Sequence, residues 1–171
     1  MVVCVTIVSV IAAGLMSVFF SGVRIWKRAS GGDYSVMEAA LETERISREL
    51  RQCFFLNEAG CSGKKDELTF PIVSVKGRVV RVTYRFDPEE KKFTRSETDF
   101  ASILAEDEES VERDIPCFSG FSAEYRSFDK DSQLFVWQDT WDKSLGLFGA
   151  VKLTFKVGDE EFSKIVFIPR R

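Results

Sequence analysis

The side chains most able to do chemistry in this chain are its cysteines and carboxylates, because the sequence contains no histidine. Without histidine there are no Ser–His or Cys–His nucleophile pairs, no histidine metal ligands and no usual general base near neutral pH. The 27 Asp and Glu residues leave hydrolysis by a carboxylate pair open, but no pair stands out. We therefore predict a non-enzymatic protein with no catalytic residues and no cofactor.

The cysteine spacing argues against a zinc site. Cys4, Cys53, Cys61 and Cys117 include no C-x-x-C pair. Cys4 lies in an apolar segment, which leaves three cysteines outside it. Outside the cytoplasm these three fit one disulfide and one thiol, and three buried thiols fit equally well. Cys53 and Cys61 are the pair considered for a disulfide.

Two other groups of residues invite a ligand. The acidic residues within 97–114 offer oxygen atoms of the kind that calcium binds. Their spacing matches no calcium loop with a turn glycine, so we expect a solvated loop or short helix there and no metal site. Trp137 and Trp141 could flank a ligand groove, although tryptophan more often fills a core or caps a sheet edge. The net charge of −3 gives no basic field for nucleic acid.

The first element that would position these residues is an uncharged segment, residues 1–23, which ends before Arg24. As a helix it would span about 34 Å, enough for a bilayer core of about 30 Å. The segment is too long for a cleaved secretion signal and lacks the basic start of one. It also lacks the polar face that a helix of a globular protein normally has. We predict a transmembrane and assembly stem helix over residues 1–30. Its apolar residues include Val5, Val8, Ile11, Leu15, Val18 and Phe19.

A second helix is predicted after the glycine pair at 31–32. Residues 35–38 fit a capping box, and apolar residues then recur at steps of three and four. We predict an amphipathic helix over residues 35–55 that packs on a sheet through Ile46, Leu50 and Phe54. Its charged residues predict a solvated face.

Alternating apolar and polar residues follow, which is the pattern of strands with one buried face. The clearest run has Val80, Val82, Tyr84 and Phe86 on one side. We predict an antiparallel sheet body over residues 66–169 and an α+β fold class. The head domain would comprise residues 31–171.

This order of elements resembles type IV pilin-like proteins, and it is most similar to minor pseudopilins of the type II secretion system, in particular the J component. The pieces that carry the resemblance run through nearly the whole chain. They are residues 45–52, 82–86 with 93–95, 121–125 with Trp141 downstream, 150–153 and 164–169.

The start of the chain departs from that family, whose members begin with a basic leader, a Gly and a mature start like Phe-Thr-Leu-Leu-Glu. Residues 1–5 match the family's helix entered a few positions past its Glu. We therefore expect an internal start codon or a trimmed sequence, with a leader encoded upstream. Arg24, Lys27 and Arg28 alone would favour a cytoplasmic body, whereas a basic leader would place the head outside.

The resemblance implies a structural subunit of the pseudopilus, with a role in assembly and initiation of its tip complex. It implies a single-pass protein of the bacterial inner membrane with a pilin-like head in the periplasm. The implied partners are other minor and major pseudopilins, inner-membrane lipid and the assembly platform of the secretion machinery. The alternative is a membrane-anchored extracytoplasmic binding or sensor domain, unrelated to pili, with a pocket around Trp137 and Trp141.

Overall fold

The computed structural model describes residues 35–54, 56, 60–105, 109–129 and 133–169. The chain divides into two compact units, Met1–Glu38 and Ala39–Arg171, and the second unit holds the strands. The predicted stem, residues 1–30 with its six named apolar positions, lies outside the described residues. Within the described part, no helix combines the length and the apolar composition that crossing a membrane requires.

The described strands form two antiparallel sheets. The strands are β1 Ser62–Lys64, β2 Glu67–Val73, β3 Val79–Asp87, β4 Lys92–Asp99, β5 Ser110–Asp114, β6 Gly120–Asp129, β7 Leu134–Gln138, β8 Ala150–Val157 and β9 Glu160–Phe167. Sheet 1 has the order β1-β2-β3-β4-β5, and sheet 2 has the order β7-β6-β8-β9. Helix α1 covers residues 35–52, α2 is Phe100–Leu104, and a 3-10 turn covers Lys143–Leu145.

The predicted α+β class is wrong, because the described residues are mostly β. Strands hold 51% of them, in two sheets, and the described helices are few. The alternating pattern predicted one sheet body but carried no information on where the sheet divides. The sequence also gave no signal for β1, which has only three residues.

The acidic residues of 97–114 were expected in a solvated loop or short helix, and most of the described ones lie in strands. Glu97 and Asp99 belong to β4, and β5 carries Glu112 and Asp114. Every residue of β5 is exposed, so its charged side chains stay in water while the backbone completes the ladder to β4. Only α2 fits the expected short helix.

The core is built from the inner faces of both sheets. Val80, Val82, Tyr84 and Phe86 of β3 are buried, as the alternation predicts. Phe93 of β4 joins the sheets, with its ring centroid 4.8 Å from that of Phe121 and 6.3 Å from that of Phe155. Aromatic pairs at these separations add to the stability that burial gives.

Helix α1 ends at residue 52, earlier than the predicted residue 55. Ile46 and Leu50 are fully buried in the core, and Phe54 is half-buried beyond the helix. The amide nitrogen of Phe54 donates to the carbonyl oxygen of Pro71 on β2 at 3.4 Å. This bond to the sheet takes the place of a further helical bond, so the chain leaves the helix here.

Candidate functional site

The outer face of sheet 2 carries exposed apolar side chains across the sheet. Residues directly opposite each other in an antiparallel pair lie on the same face. Phe128 is opposite Phe135, and Trp137 is opposite Arg126. At the opposite edge of the sheet, on the same face, β9 adds Ile165 and Phe167, which are paired with residues of β8. We call these five residues the outer apolar face: Phe128, Phe135, Trp137, Ile165 and Phe167.

These five side chains are between 39% and 61% exposed, while alternate residues of β6 and β9 are buried on the inner face of the sheet. Ala123 and Tyr125, for example, are fully buried on the inner face of β6. Apolar residues grouped on a rigid sheet surface are typical of sites that bind another protein. The outer apolar face is therefore our candidate functional site.

Charged groups accompany the outer apolar face. The guanidinium carbon of Arg126 lies 4.0 Å from the ring centroid of Phe135, a cation–π contact that holds the cation over the apolar surface. The rings of Phe128 and Phe135 meet edge-to-face at 5.3 Å. Beside them, Lys152 Nζ donates to Glu124 Oε2 at 2.6 Å. Arginine at the centre of an apolar patch suits a partner that offers a carboxylate or carbonyl oxygen.

Strand β7 forms one edge of sheet 2 and is exposed on both of its faces. Leu134 and Val136, on the face opposite Phe135, are 64% and 39% exposed. In the described part of the chain β7 pairs only with β6, so its other edge offers backbone N–H and C=O groups to a partner strand. Apolar side chains together with an open edge are the requirements for β-strand addition.

A buried polar network lies between helix α1 and sheet 1. Tyr84 Oη donates to Glu49 Oε2 at 2.7 Å, and Arg95 Nε donates to the same oxygen at 3.2 Å. Arg95 Nη1 also donates to Glu97 Oε2 at 3.0 Å. The side chains of Arg95 and Glu49 are only 8% and 12% exposed. Every partner is satisfied within the network, so its evident role is to hold α1 on the sheet.

Burial and charge shift the pKa values in this network. Burial, reinforced by the Glu49 carboxylate, raises the pKa of Tyr84 far above its ordinary value. Burial is the largest single effect on Arg95 and acts to lower its pKa, but the charges and hydrogen bonds of Glu49, Tyr84 and Glu97 together outweigh it, and the net pKa is raised. Tyr84 therefore stays a neutral donor and Arg95 stays a cation, which suits fixed structural partners better than groups that exchange protons.

Two further acidic residues of α1 bind the sheets, which corrects the prediction of a fully solvated charged face. Glu42 accepts two bonds from Arg113 of β5, at 3.0 and 2.6 Å. Glu44 accepts from Lys164 Nζ of β9 at 2.5 Å. Sequence reasoning missed these pairs because the partners lie 71 and 120 positions apart.

A polar cleft of about 430 Å³ lies on the outer face of sheet 1. Hydroxyl groups line it, including those of Thr69 and Thr83, whose oxygens are 3.0 Å apart. Arg85 also lines it and is paired with Glu67 at 2.7 Å. Hydroxyl and guanidinium groups can bind a polar ligand, but a chain without histidine offers these hydroxyls no imidazole base.

The other residues singled out in the sequence are separated. Trp141 is 7% exposed and packs in the core, where its indole N–H donates to the carbonyl oxygen of Gly146 at 3.0 Å. Trp137 lies instead on the outer apolar face, so the two do not form the walls of one groove. Cys53 and Cys61 are both buried in the core.

Within the described residues, no three His, Cys, Asp or Glu side chains are grouped to hold a metal ion. Asp99, one of the acidic residues considered for calcium, caps helix α2 by accepting from the amide nitrogen of Ala101 at 3.1 Å. This bond lowers the pKa of Asp99.

No protein-family model matches the chain, and no curated protein matches it. The case for a function therefore depends on the geometry of the head and on the order of segments in the sequence. The strongest geometric feature is the outer apolar face with its open edge strand.

Proposed function

We propose that this chain is a structural subunit of a type II secretion pseudopilus, a minor pseudopilin that takes part in assembly and initiation of the tip complex. The observation that carries the proposal is the outer apolar face beside the open edge of β7. Such a surface supports a role in binding neighbouring subunits, because burying it in a partner removes apolar area from water.

The sequence supplies the support for the particular assembly. Residues 1–23 carry no charge and would be sheltered equally by lipid or by the apolar stems of neighbouring subunits. We propose that they anchor the chain in the bacterial inner membrane, with the head in the periplasm. Its partners would be other minor and major pseudopilins, membrane lipid and the assembly platform of the secretion machinery.

The experiment measures co-purification of the full-length chain with the pseudopilins of the same bacterium, expressed together and extracted from membranes in mild detergent. Phe135→Asp places a carboxylate on the outer apolar face, next to the open edge of β7. If that face binds a neighbour, burial of the new charge should reduce the recovered partner by about tenfold or more.

Val111→Asp is the matched control. Val111 is 77% exposed on β5, an edge strand of the other sheet, so the substitution adds the same charge at an exposed apolar position. We expect this variant to recover partners like the unmodified chain. The proposal fails if the unmodified chain recovers no pseudopilin, or if both variants lose partners equally.

The polar cleft on sheet 1 favours a second candidate, a membrane-anchored binding or sensor domain. A small polar ligand in that cleft would use its hydroxyl groups, so Thr83→Val should abolish a ligand-dependent rise in melting temperature. This candidate requires a ligand that raises the melting temperature of the unmodified chain. A panel of sugars and anions that all leave it unchanged counts against the candidate.

A further inference from the structure

We propose that Cys53 and Cys61 form a disulfide bond that links the end of helix α1 to the start of strand β1. The assignment goes beyond the proposed function and does not depend on it, because the bond needs a disulfide oxidant and no pseudopilus partner. The cysteine spacing left open either one disulfide with one thiol or three buried thiols, and this assignment selects the first.

Backbone contacts place both cysteines along one edge of strand β2. Phe54, which follows Cys53, donates its amide hydrogen to Pro71 of β2. Ser62, which follows Cys61, is paired with Thr69, two residues before Pro71 in the same strand. The two chain segments therefore approach β2 side by side, on the edge that β3 does not occupy.

The side chains point to the same place. The thiols of Cys53 and Cys61 share a hydrogen bond, and the two residues are 7% and 0% exposed in the core. The shared bond raises the pKa of Cys53 and lowers that of Cys61. Two buried thiols that share a hydrogen bond and belong to segments held along one strand edge are placed as the partners of a disulfide must be.

The reaction is a pair of thiol–disulfide exchanges with a disulfide oxidant. The thiolate of one cysteine attacks a sulfur of the oxidant, forms a mixed disulfide and releases the oxidant's other sulfur as a thiolate. The second cysteine, as its thiolate, then attacks the sulfur of the first and releases the oxidant's remaining sulfur. The chain loses two electrons and two protons, and the oxidant becomes a dithiol or two thiols.

Burial decides when this reaction happens. In the folded head both thiols are buried and out of reach of an external oxidant, so the exchange takes place before the two cysteines are buried. After folding, the same burial keeps reductants away from the bond. We therefore expect a disulfide that forms during folding and then resists reduction under native conditions.

The test uses the full-length chain, refolded with glutathione disulfide as the oxidant and alkylated after unfolding. Trypsin cleaves after Arg51 and Lys64, so it leaves both cysteines in one peptide, and a glutamyl endopeptidase cleaves between them after Glu58. We expect residues 52–58 and 59–64 to be recovered as one linked species that separates on reduction. We also expect two fewer alkylated thiols than in a chain refolded with reductant.

Variants assign the bond to this pair. Cys53→Ser and Cys61→Ser should each abolish the linked species, whereas Cys117→Ser should retain it. Because the mapping on the unmodified chain needs no variant, poor folding of a variant leaves the test intact. The proposal is overturned if both cysteines stay alkylatable after oxidative refolding, or if either is linked instead to Cys4 or Cys117.

Discussion

Residue scale: the energetics of the head concentrate at a few buried polar contacts, and Glu49 is the most connected of them. It receives bonds from a tyrosine and an arginine of sheet 1 and lies 3.4 Å from Arg45 of its own helix. Removing one partner of a buried ion pair costs more than the pair contributes, because the remaining charge stays out of water.

Glu49→Gln should therefore lower the free energy of unfolding by about 2–3 kcal/mol, since Arg95 keeps only its half-exposed partner Glu97. Urea unfolding followed by circular dichroism measures the change. Glu44→Gln is the control, because the pair of Glu44 with Lys164 is solvated and should contribute little. Equal losses in the two variants would show that the burial of Glu49 has no energetic effect.

Gly63 lies where the structure leaves no room for a side chain. A Cβ atom at this residue would lie 2.0 Å from Oη of Tyr125, the buried hydroxyl whose one hydrogen is shared between the carbonyl oxygens of Lys64 and Glu67. Neither the ring nor its partners can move away without breaking that shared hydrogen bond.

Gly63→Ala should lower the free energy of unfolding by about 2–3 kcal/mol through overpacking of this site. The same urea titration measures it. Gly149→Ala serves as control, since its added Cβ would meet only Arg126 O at an ordinary 3.7 Å. A Gly63→Ala variant with unchanged stability would mean that Tyr125 is less constrained than its shared hydrogen bond indicates.

Element scale: the sequence predicts where the strands lie more directly than it predicts which strands pair. The alternation of Val80, Val82 and Tyr84 predicts strand β3 and its buried face, because the pleat sends successive side chains to opposite sides. Pro71 is tolerated in β2 because its missing N–H would point to the edge where its own carbonyl accepts from Phe54, rather than into the ladder to β3. The end of α1 is set by that same bond, a tertiary contact that helical periodicity does not contain.

Strand β7 should be the least protected strand of sheet 2. It is a terminal strand, its side chains are exposed on both faces, and few core contacts hold it. We expect its amide hydrogens to exchange with deuterium faster than those of β8, which lies between two strands. Hydrogen exchange with mass spectrometry distinguishes peptides covering Leu134–Gln138 and Ala150–Val157. Equal protection in an isolated, monomeric chain would contradict this difference.

Whole-molecule scale: the fold class could not be predicted because alternation specifies strands without specifying sheets. Phe93 and Phe155 read alike in the sequence, yet they face each other across the core from different sheets. The ion pairs of Glu42 and Glu44 with distant strands were missed for the same reason, since a charged helix face looks solvated until its neighbours are known. Only part of the candidate site could be predicted from the sequence. Trp137 is conspicuous in the sequence as an aromatic residue, but only strand pairing shows that it lies on the same face of sheet 2 as Phe135 and Phe167.

The stability of the whole head should have a plateau that falls at both ends of the pH range. Hydrogen bonds lower the pKa of Asp99 and of Glu44, so their contributions are present above the ordinary values of 3.8 and 4.5 and are lost as the pH falls. Burial raises the pKa of Tyr84 and of Tyr125. Their contributions are complete below the ordinary value of 10.0 and decrease as the pH rises above it, because the unfolded chain then releases protons that the folded chain keeps.

Urea midpoints measured between about pH 3 and pH 11 test this profile, with an alkaline slope of about 1.4 kcal/mol per pH unit for each buried tyrosine. The alkaline arm should be steeper than the acid arm, because both tyrosine hydroxyls are buried, whereas the acidic groups are exposed and their effect is screened. Tyr84→Phe removes one ionisable hydroxyl, so its loss of stability above pH 10 should be shallower than that of the unmodified chain. If the alkaline slope is unchanged in that variant, the loss of stability above pH 10 comes from groups other than Tyr84.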